Sequence, residues 1–190
     1  DLEIVCSSVG NSIETQLDNL SSISMNLVYS NAIKTNFKEF SELYQKSGTS
    51  PSRLVASQEK ARAIHDIITA MIGAYQNASA INLYTLDGSY VESGYFELTD
   101  AVNLANQPWY TPVMKLNGHK YISNPTVHMD LPAQGDNQHA QKFISIVRLF
   151  LDSNSQPEGI VEVIQDCGKI FSLTSRLESQ NPGTSVYIYN

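Results

Sequence analysis

The sequence predicts an α+β fold in which two long helical stretches precede a mainly antiparallel sheet. Three observations carry this. Apolar residues recur at steps of three and four through the first two-fifths of the chain. From Ala80 the pattern shifts towards strand-like alternation, and an Asp87-Gly88 pair separates two such runs.

The first helix is marked by Leu2, Val5, Val9, Ile13, Leu17, Leu20, Ile23 and Leu27, continuing to Phe37, Phe40 and Leu43. It is read either as one helix of unusual length or as two with a break near Asn31. The cluster Gly48-Thr-Ser-Pro51-Ser is a turn, and Ser52 or Ser57 is the candidate cap for a second helix through Leu54, Ile64, Ile68 and Tyr75. Ile81–Leu86 and Ser89–Ser93 form a hairpin about Asp87-Gly88. Thr99 or Asp100 caps a short helix through Ala105, and Gln107-Pro-Trp-Tyr110 opens another that ends at Asn117-Gly118. His119–Ser123 is a third strand, and 125–139 reads as a polar surface loop. Lys142–Asp152 and Ile160–Gln165 are the fourth and fifth strands, joined by a Ser/Asn/Pro/Gly turn. Cys167–Leu177 reads as a helix and Val186–Tyr189 as a last strand. The chain opens inside a helical pattern and closes inside a strand, which reads as a piece of something larger.

Composition narrows the function. The chain has 190 residues, 42% hydrophobic and 16% charged, with a formal net charge of -7. No run of lysine or arginine offers the basic face that phosphate binding demands, which argues against a nucleic-acid partner. Its apolar runs are too short to span a bilayer, and Asp1-Leu2-Glu3 does not resemble a signal peptide. Cys6 and Cys167 stand far apart without metal-ligand spacing, and are read as idle thiols or as a bridged pair.

No nucleophile elbow, phosphate loop, HExxH or calcium loop is present, so no enzyme and no cofactor is expected. His65 lies beside a helix's apolar face, where a structural role is favoured. His128, Asp130, Asp136 and His139 share the polar loop in a spacing that fits no metal rule. Trp109 and Tyr110 suit either core packing or the wall of a small-ligand pocket, and Tyr84, Tyr90, Tyr95 and Tyr121 nearby lean towards the wall.

Taken in order, these features resemble a known family. A long helix and a second helix precede Asp87-Gly88, then Trp109-Tyr110 and Gly118, then Phe143-Ile-Ser-Ile-Val-Arg148 ending in Asp152, then Gly159-Ile-Val-Glu-Val. Together they are similar to the membrane-distal, PAS-like module of double-Cache sensor domains, as in Firmicutes sensor histidine kinases and in chemoreceptors. The resemblance implies two long helices packed on a PAS-like sheet of five or six antiparallel strands, with residues 1–78 as stalk and support and 79–190 as the ligand-binding module of one integrated domain. It also implies a missing C-terminal module, flanking membrane segments, a homodimeric receptor and an extracytoplasmic location. Small-molecule sensing is the expected function; a non-binding structural or interaction module is the alternative.

The resemblance breaks at one place. Amino-acid-binding members carry an arginine two residues before the tryptophan and an aspartate at the end of the fifth strand. Here Gln107 holds the first position and Ile164 the second, with Asp166 two residues late. A glutamine offers no bidentate cation to a carboxylate. The expected ligand is therefore neutral polar, cationic or sugar-like rather than a standard amino acid, held by Gln107, Trp109, Tyr110, Tyr121, Ser123 and Asp166.

Overall fold

The computed structural model describes residues 2–45, 50–75, 78–93, 101–127, 141–183 and 185–188. The expected α+β class is observed. Helices α1 (Leu2–Tyr29), α2 (Asn31–Gln45) and α3 (Pro51–Tyr75) come first, then β1 (Ala80–Thr85) and β2 (Tyr90–Glu92). A single 3-10 turn at Leu104–Asn106 leads to α4 (Tyr110–Leu116), β3 (Tyr121–Ile122) and β4 (Thr126–Val127). The long pair β5 (Lys142–Leu151) and β6 (Pro157–Asp166) follows, then α5 (Cys167–Ile170) and α6 (Ser172–Gln180). The strands form one antiparallel sheet in the order β2-β1-β6-β5-β3, with β4 also pairing β5. It is a PAS-like arrangement, with β5 and β6 at its centre.

Period two along the strands divides the core. Ile81, Leu83, Ile146, Phe150, Val161 and Val163 face the long helices and meet Leu20, Ile23, Leu27, Phe37, Ile64 and Ile68. Phe37 stands edge-on to Phe150, with ring centres 5.4 Å apart and planes at 75°. Such a pair adds about 0.5–1.5 kcal/mol to area burial. Tyr84, Val147, Leu149 and Ile160 face the other way and meet Leu104, Trp109 and Val113. The long helices cover one face and the segment around Trp109 and α4 covers part of the other, so β5 and β6 are buried almost end to end, and their apolar runs are interrupted only by the buried Ser145, Arg148, Glu162 and Gln165.

Several boundaries differ from the sequence reading, each for a local reason. The long N-terminal stretch is two helices: Ser30 interrupts it, its Oγ accepting from the Ile33 N–H at 3.3 Å as an N-cap. The next helix starts at Pro51, with the Ser50 carbonyl accepting from Arg53 and Leu54. Neither Ser52 nor Ser57 caps it, and Ser57 is buried, donating back to the Leu54 carbonyl. Residues 101–103 are not helical; Asn103 caps the 3-10 turn, and Thr99 and Asp100 lie outside the described residues.

Further along, Pro108 sits in the turn before α4 rather than inside it. Part of the predicted loop is strand, since Thr126 and Val127 pair with Phe143 and Lys142. The loop's candidate ligands His128, Asp130, Asp136 and His139, and also Tyr95, fall outside the described residues. The predicted 167–177 helix divides at Phe171 into α5 and α6. Residues 185–188 join no strand; Tyr187 and Ile188 are exposed, and the Val186 N–H donates to Glu178 instead. Cys6 and Cys167 are both free thiols.

Candidate functional site

The face of the sheet away from the long helices is only partly covered, and a cavity of about 440 Å³ opens there. That volume lies in the range of small-molecule sites. Its floor is built from alternate residues of the central strands: Ala80, Asn82 and Tyr84 on β1, Glu162 and Ile164 on β6, and Ser145 on β5. Tyr90 and Glu92 border it from β2 with Ser93 just beyond that strand, and Ser123, Thr126 and Val127 from the β3–β4 edge. Gln107, Pro108 and Trp109 close it from the turn before α4.

The hairpin holds that wall in place. Gly88 has φ +91, which only glycine adopts freely, and its carbonyl accepts from the Val102 N–H at 2.8 Å. A Cβ at residue 88 would stand 1.9 Å from the Val102 carbonyl oxygen. The Asp87-Gly88 turn thus both reverses the chain and docks the segment carrying Val102, another lining residue.

At the floor lies a buried carboxylate. Glu162 is 1% exposed. Its Oε2 accepts from the Tyr84 hydroxyl at 2.8 Å and from Asn82 Nδ2 at 3.4 Å, and its Oε1 accepts from Ser145 Oγ at 2.7 Å. Three donors fix the group in one orientation, as a carboxylate this deep requires. Burial, then the Glu162 charge, drives the Tyr84 hydroxyl well above the ordinary tyrosine range, so it remains a donor at physiological pH. Tyr84 also links the aromatic wall, with ring centres 5.6 Å from Tyr90 and 5.5 Å from Trp109.

Of the six residues singled out from the sequence, Gln107, Trp109 and Ser123 line the cavity. Ser123 also accepts from the Ser145 N–H at 2.9 Å, securing the β3 edge. The other three are placed elsewhere. Tyr110 borders a separate surface depression with Leu86 and Asp87, and Tyr121 packs beneath α4 opposite Val147. Asp166 is the N-cap of α5, accepting from the Gly168 N–H and from Gln141, both at 2.8 Å. Tyr84 and Tyr90, named from the sequence only as tyrosines favouring a pocket wall, do line the cavity, while Glu162, Asn82 and Ser145 were not among the predicted residues. Their signal was a glutamate inside the apolar run Gly159-Ile-Val-Glu-Val-Ile, where a charge must be buried with partners. Among the described residues, no group of three or more His, Cys, Asp or Glu side chains is arranged to hold a metal ion.

Comparison with known proteins assigns the class of fold. No protein-family model and no curated protein matches the sequence. Solved structures do match: the sensor domain of the Vibrio cholerae histidine kinase DctB superposes with TM-score 0.61 at 11% identity, over 89% of this chain and 56% of that one. The extracellular domain of vpHK1S-Z8, named as a histidine kinase, gives TM-score 0.59 at 12% identity, over 91% of this chain and 57% of that one. The isoleucine-bound sensory domain of the Campylobacter jejuni chemoreceptor Tlp3 gives 0.51 at 16% identity, over 91% and 66%.

The chain therefore has the fold of extracellular Cache/PAS-like sensor domains, and it spans little more than half the length of the first two. The isoleucine complex corrects the expectation that set standard amino acids aside, because this fold accommodates one. No described helix is long and apolar enough to cross a membrane.

Proposed function

We propose that this chain is the extracytoplasmic small-molecule sensing domain of a bacterial transmembrane receptor, with the cavity between the sheet and the turn before α4 as its sensing site. One observation carries the reading: a cavity of about 440 Å³ whose floor and wall combine a buried carboxylate held by three donors with mutually tilted aromatic rings in contact. A core built only for stability gains nothing from a carboxylate at this depth. The fold class supports the reading, since the matched structures are sensor domains of histidine kinases and chemoreceptors.

In this reading the receptor is a sensor histidine kinase or a chemoreceptor, works as a homodimer, and reaches the membrane through segments beyond this chain. Residues 1–78 act as stalk and support, and 79–190 as the ligand-binding module. Ligand capture shifts the balance between two arrangements of the long helices. Of the predicted residues, Gln107, Trp109 and Ser123 contact the ligand, while Tyr110, Tyr121 and Asp166 hold the surrounding frame.

The test is thermal melting against a panel of amines, amino acids, sugars, organic acids and nucleobases. A ligand that prefers the folded state raises the melting temperature. The expected result is a stabiliser whose effect is lost in Trp109→Phe. A panel with no stabiliser of any class rejects the sensing cavity in favour of a module that serves as scaffold.

A further inference from the structure

The central strand β5 carries an arginine whose hydrogen bonds leave the sheet in two directions. Arg148 is 7% exposed. Its Nε donates to Ser24 Oγ and its Nη2 to Ser21 Oγ, each at 2.8 Å, and both serines lie on α1. Its Nη1 donates to the Gly118 carbonyl at 3.4 Å, in the turn between α4 and β3. A planar guanidinium holds its donors in a fixed fork, so a shift of one acceptor is felt at the other two. Ser24 is itself held, donating its hydroxyl to the Ser21 carbonyl at 2.7 Å. The same turn meets α1 a second time, where Lys120 Nζ stands 3.6 Å from Asp18 Oδ1, one helical turn before Ser21. An exposed pair of this kind adds little stability, but it shows where the turn lies along the helix.

At its other end α4 begins at the cavity wall. Trp109 directly precedes the helix, lines the cavity, and its carbonyl accepts from the Val113 N–H at 3.0 Å. Val113 is fully buried in the same cluster as Trp109. A helix of 7 residues is only about 10 Å long, and packed this closely it moves as one body. The chain leaves it through two left-handed residues, Asn117 at φ 46 and Gly118 at φ 93, which set the direction of the Gly118 carbonyl.

The geometry points to Arg148 as the positioning residue that couples the cavity wall to α1. A guest that displaces Trp109 shifts α4 and with it the Gly118 carbonyl, and the guanidinium passes that shift to Ser21 and Ser24. The contact to Gly118 is the longest of the three, so it is the one that tightens or opens while the two on α1 hold. This rests on the sensing reading above and deepens it, naming the route by which the site reaches the long helices.

Native-state hydrogen exchange and Trp109 fluorescence test the link from both ends without a ligand, since a coupling free energy acts equally in each direction. Exchange is read relative to the α3 amides of residues 64–68, which report global unfolding. From the helix side, the double variant Ser21→Ala/Ser24→Ala removes both α1 acceptors. It is expected to speed exchange of the α4 amides of residues 113–116 by about fivefold or more, the lower end of ordinary coupling, and to raise acrylamide quenching of Trp109. Ser22→Ala, exposed on the same helix with its hydroxyl on the Asp18 carbonyl, is the control and is expected to change neither. From the cavity side, Gly118→Ala strains a left-handed position and is expected to speed exchange of the α1 amides of residues 21–27 by a similar factor. Should the double variant fail to fold, Ser21→Ala, at the half-buried contact, takes its place. An arginine that only stabilises the fold lowers the melting temperature of these variants and leaves the relative exchange of the distant helix as in the parent. That result, or an effect from one end only, overturns the coupling. If it is overturned while a stabiliser lost in Trp109→Phe is found, the sensing cavity stands and its signal leaves by another route. If both ends respond but no stabiliser is found, the coupling stands and the sensing reading falls.

Discussion

Arg148 Nε donates to Ser24 Oγ at 2.8 Å, joining the centre of the sheet to the middle of α1. The same guanidinium donates to Ser21 Oγ at 2.8 Å and to the Gly118 carbonyl at 3.4 Å, in the turn that follows α4. One buried cation therefore touches both the long helix and the turn after α4, the helix that follows the cavity wall. Burial lowers its pKa, and the nearby Tyr29 partly offsets this. No carboxylate lies within ion-pair distance among the described residues.

Ser24→Ala removes an acceptor from that guanidinium and is expected to cost about 1–3 kcal/mol. Arg148→Met removes the demand together with the charge and is expected to cost less than Arg148→Ala, which leaves a cavity. Urea unfolding measures all three. A Ser24→Ala change within about 0.5 kcal/mol of the parent, the range of ordinary surface substitutions, would mean that the contact contributes little to stability.

Gly159 is where α2 approaches β6. A Cβ there would lie 2.5 Å from Phe37 Cε1 and 2.6 Å from the Tyr84 carbonyl oxygen. Gly159→Ala is expected to destabilise by about 1–3 kcal/mol, as overpacked cores do. Trimming Phe37 to Leu in the same chain relieves the ring contact but not the backbone one. The double mutant is therefore expected to recover only part of the loss relative to Phe37→Leu alone. Full additivity of the two changes would show that the ring and the glycine do not share the space.

Tyr84 gives the fold an alkaline limit. Its folded-state pKa is raised, first by burial and then by Glu162, so the native state holds its proton where an unfolded tyrosine has lost it. The stabilisation is complete below the unfolded value of about 10 and declines as pH rises from there through the folded value. Tyr84→Phe is expected to be less stable at neutral pH, because Glu162 loses a donor, yet to show a flatter alkaline decline. Melting temperatures of the two proteins from neutral to strongly alkaline pH decide it, and parallel curves would remove Tyr84 as the source.

Trp109 is the only tryptophan, is 4% exposed, and stands in the cavity wall. Its emission is expected to be blue-shifted in the native protein, to change in intensity as the cavity fills, and to move red only on global unfolding. Trp109→Ala is expected to cost about 3–5 kcal/mol, and Trp109→Phe considerably less. A ligand that binds tightly while leaving the emission untouched would place its site elsewhere.

Much of the fold was legible because its signals are local. The three-and-four spacing of α1 to α3, the Asp87-Gly88 reversal and the apolar runs of β5 and β6 report chain geometry within a few residues of themselves. The break at Ser30 was legible as one of two readings, since both keep the same apolar face. The strand expected at 186–189 is absent over the described residues 186–188, because alternating Val and Ile mark a surface that can pair, not one that has found a partner.

The site divided along the same line. Gln107 and Trp109 were found because they share a short motif before a helix, and Ser123 because it ends a readable strand. Asp166 was misplaced because a capping carboxylate and a pocket carboxylate look alike in one dimension. Glu162 and Arg148 each interrupt an apolar strand, and that much was visible. Which face each enters was not, because a strand turns alternate side chains to opposite sides and only the assembled sheet says what lies on each side. By itself the sequence determined the helices, the hairpin and the two central strands, since short-range sterics and hydrophobic period set those. Only the tertiary structure decided that Arg148 points to the long helices while Glu162, on the neighbouring strand, points into the cavity. The partners that hold each buried charge, Ser21 and Ser24 for one and Tyr84, Asn82 and Ser145 for the other, come from distant parts of the chain.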